Sequence, residues 1–411
     1  MAARSNRWWI AVMGTLLQLC LGSVYAWSYF QKPLVEGYGW SNTQVAWTFS
    51  LAIGFLGLAA AVGGVCLPRY GPRRLAVIGS LLYGLGYLLA ALALRWNMLV
   101  LLWLGFGVIG GIGLGLGYVT PVATAAKWFP DKKGLVTGMV VMGFGFGALL
   151  MSKVIAPGLD AAFHGQLPLV FAGTGLIVGG VGLIAAVSLR NPPSPEPSAE
   201  LGSVVVQRVP PELCSGQFLL MWLVFFCNIA AGIAIIGFQS PLMQDLWREA
   251  NPALPPATLA AYGATLIAAS SVFNGLGRLF WGGISDQIGQ LRTFRIILAT
   301  QVAAFAALIL VRNPWLFGIL ICYVLLCYGG GFGVMPSFVL NTFGSRLMPV
   351  MYGCVLTAWS AAGLVGPQAI ARLKDHYGTQ ASVYAFGLGA GLLALGFCLT
   401  WLLHPPERGQ P

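Results

Sequence analysis

Apolar runs of roughly twenty residues recur along almost the whole of this 411-residue chain, and each is long enough to cross a bilayer as a helix. In hydrocarbon every backbone N–H and C=O must be paired within the protein, and a helix does this within one segment. The runs fall near residues 8–30, 41–66, 74–94, 97–122, 134–157, 168–189, 216–243, 257–283, 293–311, 314–337, 349–372 and 380–403. The expected fold is an all-α polytopic membrane protein with twelve transmembrane helices. Charged residues make up 8% of the chain, against about 25% in soluble domains, which excludes a soluble fold of this length. The first run follows two arginines, but it is too long and too rich in Trp and Tyr for a signal peptide, so it reads as an uncleaved span.

One polar break stands out. Arg190 to Ser215 contains Asn-Pro-Pro-Ser-Pro-Glu-Pro-Ser, a composition that cannot bury apolar surface and reads as a linker. It divides the chain into an N-terminal six-helix bundle (1–190), a cytoplasmic linker (191–215) and a C-terminal six-helix bundle (216–411). The net charge of +11 would suggest a nucleic-acid partner in a soluble protein. Here the basic residues sort by loop instead: fourteen lie on the side of the termini, seven on the other, and Arg278 lies inside a span. That bias places both termini in the cytoplasm of a multi-pass protein of the cell (inner) membrane, with the lipid bilayer rather than nucleic acid as partner.

The two halves echo each other. Gly64-Val-Cys-Leu-Pro-Arg-Tyr-Gly71 and Gly282-Gly-Ile-Ser-Asp-Gln-Ile-Gly289 share their glycine spacing. Gln18, Gly22, Tyr25 and Tyr29 step along span 1 as Asn228, Gly232, Ile235 and Gln239 step along span 7. Repeats of this kind build secondary transporters, with the site near the midplane between them.

Enzyme signals are weak. Gly105-Phe-Gly-Val-Ile-Gly110 matches a dinucleotide fingerprint, but no strand precedes it and it sits within an apolar run, so helix packing is expected. The eight cysteines are scattered without a C-x-x-C pair, and the three histidines lie in loops or at span ends. No catalytic constellation falls within the spans. No enzyme, metal or cofactor is expected.

Arg278 carries the functional signal. It lies in Ser271-Val-Phe-Asn-Gly-Leu-Gly-Arg-Leu-Phe-Trp281, with no acid within several turns on the same helix. An arginine inside a span costs at least ~3 kcal/mol and ordinarily faces a water-lined cavity with a partner. A small anion from outside would supply that partner, and a guanidinium matches a carboxylate with two parallel donors. Snorkelling toward the headgroups is the competing reading. Ser271, Asn274 and Trp281 share its helix face. Tyr118 ends a glycine stripe (Gly107, Gly111, Gly115) in span 4, where it either contacts substrate or anchors at the interface. Asn228, Gln18 and Tyr25 are polar groups unsuited to lipid, and Phe332 and Tyr384 are candidate walls of the site.

Gly71-Pro-Arg-Arg74 and Ser285-Asp286-Gln-Ile-Gly289 resemble the signature loop of the major facilitator superfamily. Pro68 stands where that family usually has an aspartate, while Asp286 keeps the acid in the second copy. The resemblance implies gating roles for Asp286, Arg69 and Arg73. Gly22-Ser-Val-Tyr-Ala-Trp-Ser28, Ala126-Lys-Trp-Phe-Pro-Asp-Lys-Lys-Gly134 and the span-8 arginine resemble the oxalate/formate antiporter branch and related monocarboxylate porters. Animal monocarboxylate porters are similar around Asn274 but carry an aspartate there. Tyr352-Gly-Cys-Val-Leu-Thr-Ala-Trp359 resembles the stretch where oxalate carriers place a lysine after Thr-Ala, and this chain has Trp359.

A single arginine and an indole suit one carboxylate with a short apolar tail. The expected function is therefore carriage of a small monocarboxylate of the lactate, pyruvate or formate class by alternating access. A proton is the expected co-substrate and a monomer the expected unit. The alternatives are an oxalate/formate-type exchanger and an anion-binding membrane sensor; the short linker leaves a sensor little room for an output segment.

Overall fold

The computed structural model describes residues 7–129, 133–192 and 210–404. Most of the linker (193–209) and residues 130–132 of the loop that follows span 4 lie outside the described residues. Among those described, twelve helices are long and apolar enough to cross a membrane: α1 (Arg7–Tyr38), α2 (Asn42–Leu67), α3 (Pro72–Arg95), α4 (Leu99–Ala125), α5 (Val136–Ala162), α6 (Leu167–Ser188), α7 (Gly216–Ala250), α8 (Pro256–Ile288), α9 (Gln290–Leu310), α10 (Pro314–Gly344), α11 (Val350–Tyr377) and α12 (Ala381–Leu399). Six precede residues 193–209 and six follow. Several outlast the apolar runs that announce them, notably α1, α7 and α8. The helical hydrogen-bond ladder continues through polar residues once it is nucleated, so hydropathy underestimates helix length at the membrane surface.

The ends are set by local chemistry. Ser41 and Gln44 form a capping box at the start of α2: the Ser41 hydroxyl accepts from the Gln44 amide N–H, and the Gln44 side chain accepts from the Ser41 N–H. Gly71 (φ 77°, ψ 163°) and Gly289 (φ 90°, ψ 149°) adopt nearly the same left-handed conformation before α3 and α9. Only glycine takes it without strain, so the repeat visible in the sequence has a backbone counterpart.

Three helices depart from α-geometry. A 3-10 turn, Gly22–Ala26, interrupts α1, and π-helical stretches occupy Trp103–Gly110 and Met151–Ile155. The fingerprint-like Gly105–Gly110 segment therefore lies in a helix. Short 3-10 and π segments inside long helices often accompany function, and the turn in α1 carries Tyr25.

Glycines bring particular helices into backbone contact. A β-carbon on Gly145 (α5) would stand 2.6 Å from the Gly275 Cα (α8), so the two halves approach at that level as closely as backbones allow. Within the second half, a β-carbon on Gly277 would overlap the Leu326 carbonyl, and one on Gly333 the Arg278 carbonyl. These contacts set α8 directly against α10.

Candidate functional site

Arg278 lies ten residues, or ~15 Å, before the end of α8, and its side chain is 2% exposed. Snorkelling is thereby ruled out for this arrangement: the guanidinium points into the protein. Nη1 donates to the Tyr118 hydroxyl of α4 at 3.4 Å. The guanidinium carbon stands 4.9 Å from the Phe332 ring (α10) and 6.0 Å from the Phe144 ring (α5). Nε and Nη2 have no protein partner. These two groups share one edge of the planar guanidinium, the edge that grips a carboxylate side-on through two parallel hydrogen bonds. The described acids all lie at span ends or in loops, so no carboxylate among the described residues reaches this edge.

Aromatic rings close around the cation. Trp359 of α11 is fully buried and makes edge contacts with Phe332 at 4.7 Å, Tyr118 at 5.2 Å, Phe144 at 5.8 Å and Tyr25 at 6.3 Å. Its indole faces the Tyr328 hydroxyl. Beyond it, the Tyr25 and Tyr328 hydroxyls share a hydrogen bond of 2.6 Å that joins α1 to α10 across the halves. The cage thus draws on α1, α4, α5, α8, α10 and α11.

The expected residues divide. Arg278, Tyr118, Phe332, Trp359 and Tyr25 are brought together. Asn274, one turn before Arg278, is buried with its Oδ1 unpartnered. Asn228 is buried against Gly331, the neighbour of Phe332; neither amide atom finds a partner and no hydrogen bond ties it to Arg278. Gln18 instead braces α1 to α4, donating to the Tyr118 carbonyl at 2.9 Å. Ser271 is used in packing, where it donates to the Gly145 carbonyl and accepts from the Leu149 amide at 3.1 Å.

Tyr384 requires a correction: it is 48% exposed and packs on Tyr377, ring centroids 4.7 Å apart, away from the cage. It lies near the start of α12, a helix with most of its surface on the outside of the bundle, so residue type alone misjudged its direction. Of the gating candidates, Arg73 donates from Nε to the Val187 carbonyl at 2.6 Å, capping the end of α6 in its own half. The Arg69 guanidinium lies 5.5 Å from the Tyr70 ring, Asp286 is exposed, and no ion pair joins Asp286 to either arginine.

Phe144 and Tyr328 were not anticipated. Both have a signal in hindsight, since each is a large ring set into glycines: Gly143-Phe-Gly-Phe-Gly147 and Tyr328-Gly-Gly-Gly331. Glycines flank Phe144 on both sides and follow Tyr328, which lets neighbouring helices close over each ring.

The family model for the Major Facilitator Superfamily matches residues 10–367. The chain belongs to this superfamily. As a member of the Major Facilitator Superfamily it is a multi-pass membrane transporter. An uncharacterized MFS-type transporter of Escherichia coli is 28% identical over 84% of this chain and 83% of its own. The oxalate:formate antiporter of Oxalobacter formigenes is 26% identical over 99% of this chain and 93% of its own. The apicoplast pyruvate carrier 1 of Toxoplasma gondii is 26% identical over 99% and 92%. Among solved structures, a D-xylose-proton symporter superposes with a TM-score of 0.76 over 99% of this chain and 100% of its own, at 16% identity. That likeness speaks for the fold alone.

Proposed function

We propose that this transporter carries a small monocarboxylate, of the lactate, pyruvate or formate class, across the cell (inner) membrane by alternating access. The observation that carries the reading is the unpartnered Nε–Nη2 edge of a fully buried Arg278 within an aromatic cage. A buried charge without a counter-charge is costly, and a carboxylate supplies both the charge and the two acceptors. Trp359, Phe332 and Phe144 would receive a short apolar tail. Tyr118, Asn274, Asn228 and Tyr25 are the further polar groups within or beside the cage. The oxalate:formate antiporter and the pyruvate carrier among the relatives handle small carboxylates by name, which supports the same class.

Both termini are proposed to be cytoplasmic, with Asp286 and Arg69 acting as gating residues at that end. We assign no enzymatic activity, and the monomer is the proposed unit. With no acid among the described residues of the cage, a proton would enter with the substrate. Uptake of labelled lactate into proteoliposomes, under an inward proton gradient and without internal substrate, tests this reading. Net accumulation is the expected result. Uptake only after loading with internal anion, and competition by oxalate, would instead establish an exchanger.

Tyr118→Phe removes the neutral partner of Nη1 while keeping the ring. Its KM for lactate is expected to rise about three- to tenfold with the maximal rate largely retained, the size of one modest hydrogen bond.

A further inference from the structure

The hydrogen bonds between described residues of the two halves all lie at the level of Arg278 or beyond it, toward the membrane face opposite the chain termini. At that distal end, Lys32 donates to Gln244 at 3.2 Å and Lys153 to the Thr265 hydroxyl at 2.6 Å. The densest contact is a different one. Asp375, near the end of α11, accepts three hydrogen bonds from the first turn of α2. One oxygen takes the Asn42 amide N–H at 3.0 Å and the Asn42 side-chain Nδ2 at 3.1 Å, and the other takes the Thr43 amide N–H at 2.8 Å. The first amides of a helix have no partner within it, and they carry the positive end of the helix dipole. A carboxylate of one half therefore caps a helix of the other.

We propose that Asp375 and the start of α2 form a latch that holds the distal ends of the two halves together, and that it sets how often this face opens. Two features make it a latch and not a fixed support. Asp375 is exposed, so water can take over its hydrogen bonds when the halves part. Ser41 and Gln44 satisfy the α2 capping box without it, so the helix survives the separation. Lys374 is engaged inside its own half with Asp245 at 2.5 Å, and Lys32 stands 3.8 Å from Glu36 of its own half besides its bond to Gln244. The two halves can thus swing apart at this face with those pairs intact. The proposal concerns the balance between states and holds whatever anion is carried.

The test is a distance measurement between spin labels on the full-length protein in lipid nanodiscs, without substrate. Labels are placed at Gly37→Cys in α1 and Ala250→Cys in α7, both exposed at the distal end, after replacing Cys66, Cys214, Cys354 and Cys398 by serine. Asp375→Asn removes the charge. Asn42→Pro removes two of the three donors while keeping Asp375, and proline is tolerated in the first helical turn. Each variant is expected to raise the ratio of long-distance to short-distance population about two- to fivefold, the scale of one charge–dipole contact. The double variant should show no further rise, because both changes break the same contact. His376→Ala, beside the latch, should leave the ratio unchanged. Unchanged populations in either latch variant, or additive effects in the double, would overturn the proposal.

Discussion

Arg278→Ala is expected to abolish lactate uptake in proteoliposomes, lowering it by at least about thirtyfold, since truncating one partner of a buried charge pair typically costs 2–5 kcal/mol. Arg278→Lys should fail almost as fully. Lysine keeps the charge but offers a point cation in place of the planar Nε–Nη2 edge, and it is that edge which lacks a protein partner. Full activity in the lysine variant would sink the side-on carboxylate reading while leaving a role for charge. Misfolding is separable from loss of binding by heat resistance. The wild-type guanidinium is buried with two donors unpaired, and replacing such a group with an apolar one is often neutral or stabilising. Arg278→Ala should therefore survive heating in detergent at least as well as the parent, measured as the monodisperse fraction by size-exclusion chromatography. An inactive variant of undiminished stability would assign the arginine to function rather than scaffold.

Gly277→Val should have the largest effect on folding. A β-carbon at this position would overlap the Leu326 carbonyl, so backbone has to move and no side chain can yield in its place. Overpacking a tight core costs about 1–3 kcal/mol where side chains give way, and more where they cannot. The displacement would reach the site directly. Gly277 precedes Arg278 and Gly333 follows Phe332, and these two glycines hold α8 and α10 close enough for the guanidinium to stand 4.9 Å from the Phe332 ring. The expected outcome is a sharp loss of monodisperse protein, with transport lost in whatever remains. Gly283→Ala, in the same helix where a β-carbon would meet nothing, should leave both yield and uptake unchanged. Normal yield and uptake in Gly277→Val would show that α8 and α10 do not need this contact.

The balance between what was legible and what was not follows the range of the interactions. Hydropathy depends on consecutive residues, so the sequence by itself determined the membrane class, the twelve spans, the polar break between the sixth and seventh, and the oddity of an arginine within a span. The glycine echo was legible too, because a left-handed turn restricts residue choice locally, as at Gly71 and Gly289. Residue chemistry also singled out Tyr118, Tyr25, Phe332 and Trp359, which the fold gathers around Arg278. Direction was beyond the sequence. Most sides of a membrane helix are apolar, toward lipid and neighbour alike, so no amphipathic stripe marks its inner face. Tyr384 was misplaced for that reason, and Phe144 and Tyr328 stayed hidden among other aromatics. Only the tertiary structure, through backbone contacts such as Gly145 with Gly275 and Gly277 with Leu326, rotated five helices so that their rings gather around the guanidinium of a sixth. It alone set Asp375 against the start of α2, more than three hundred residues away, because such a pairing depends on how two halves dock and on nothing either segment carries locally.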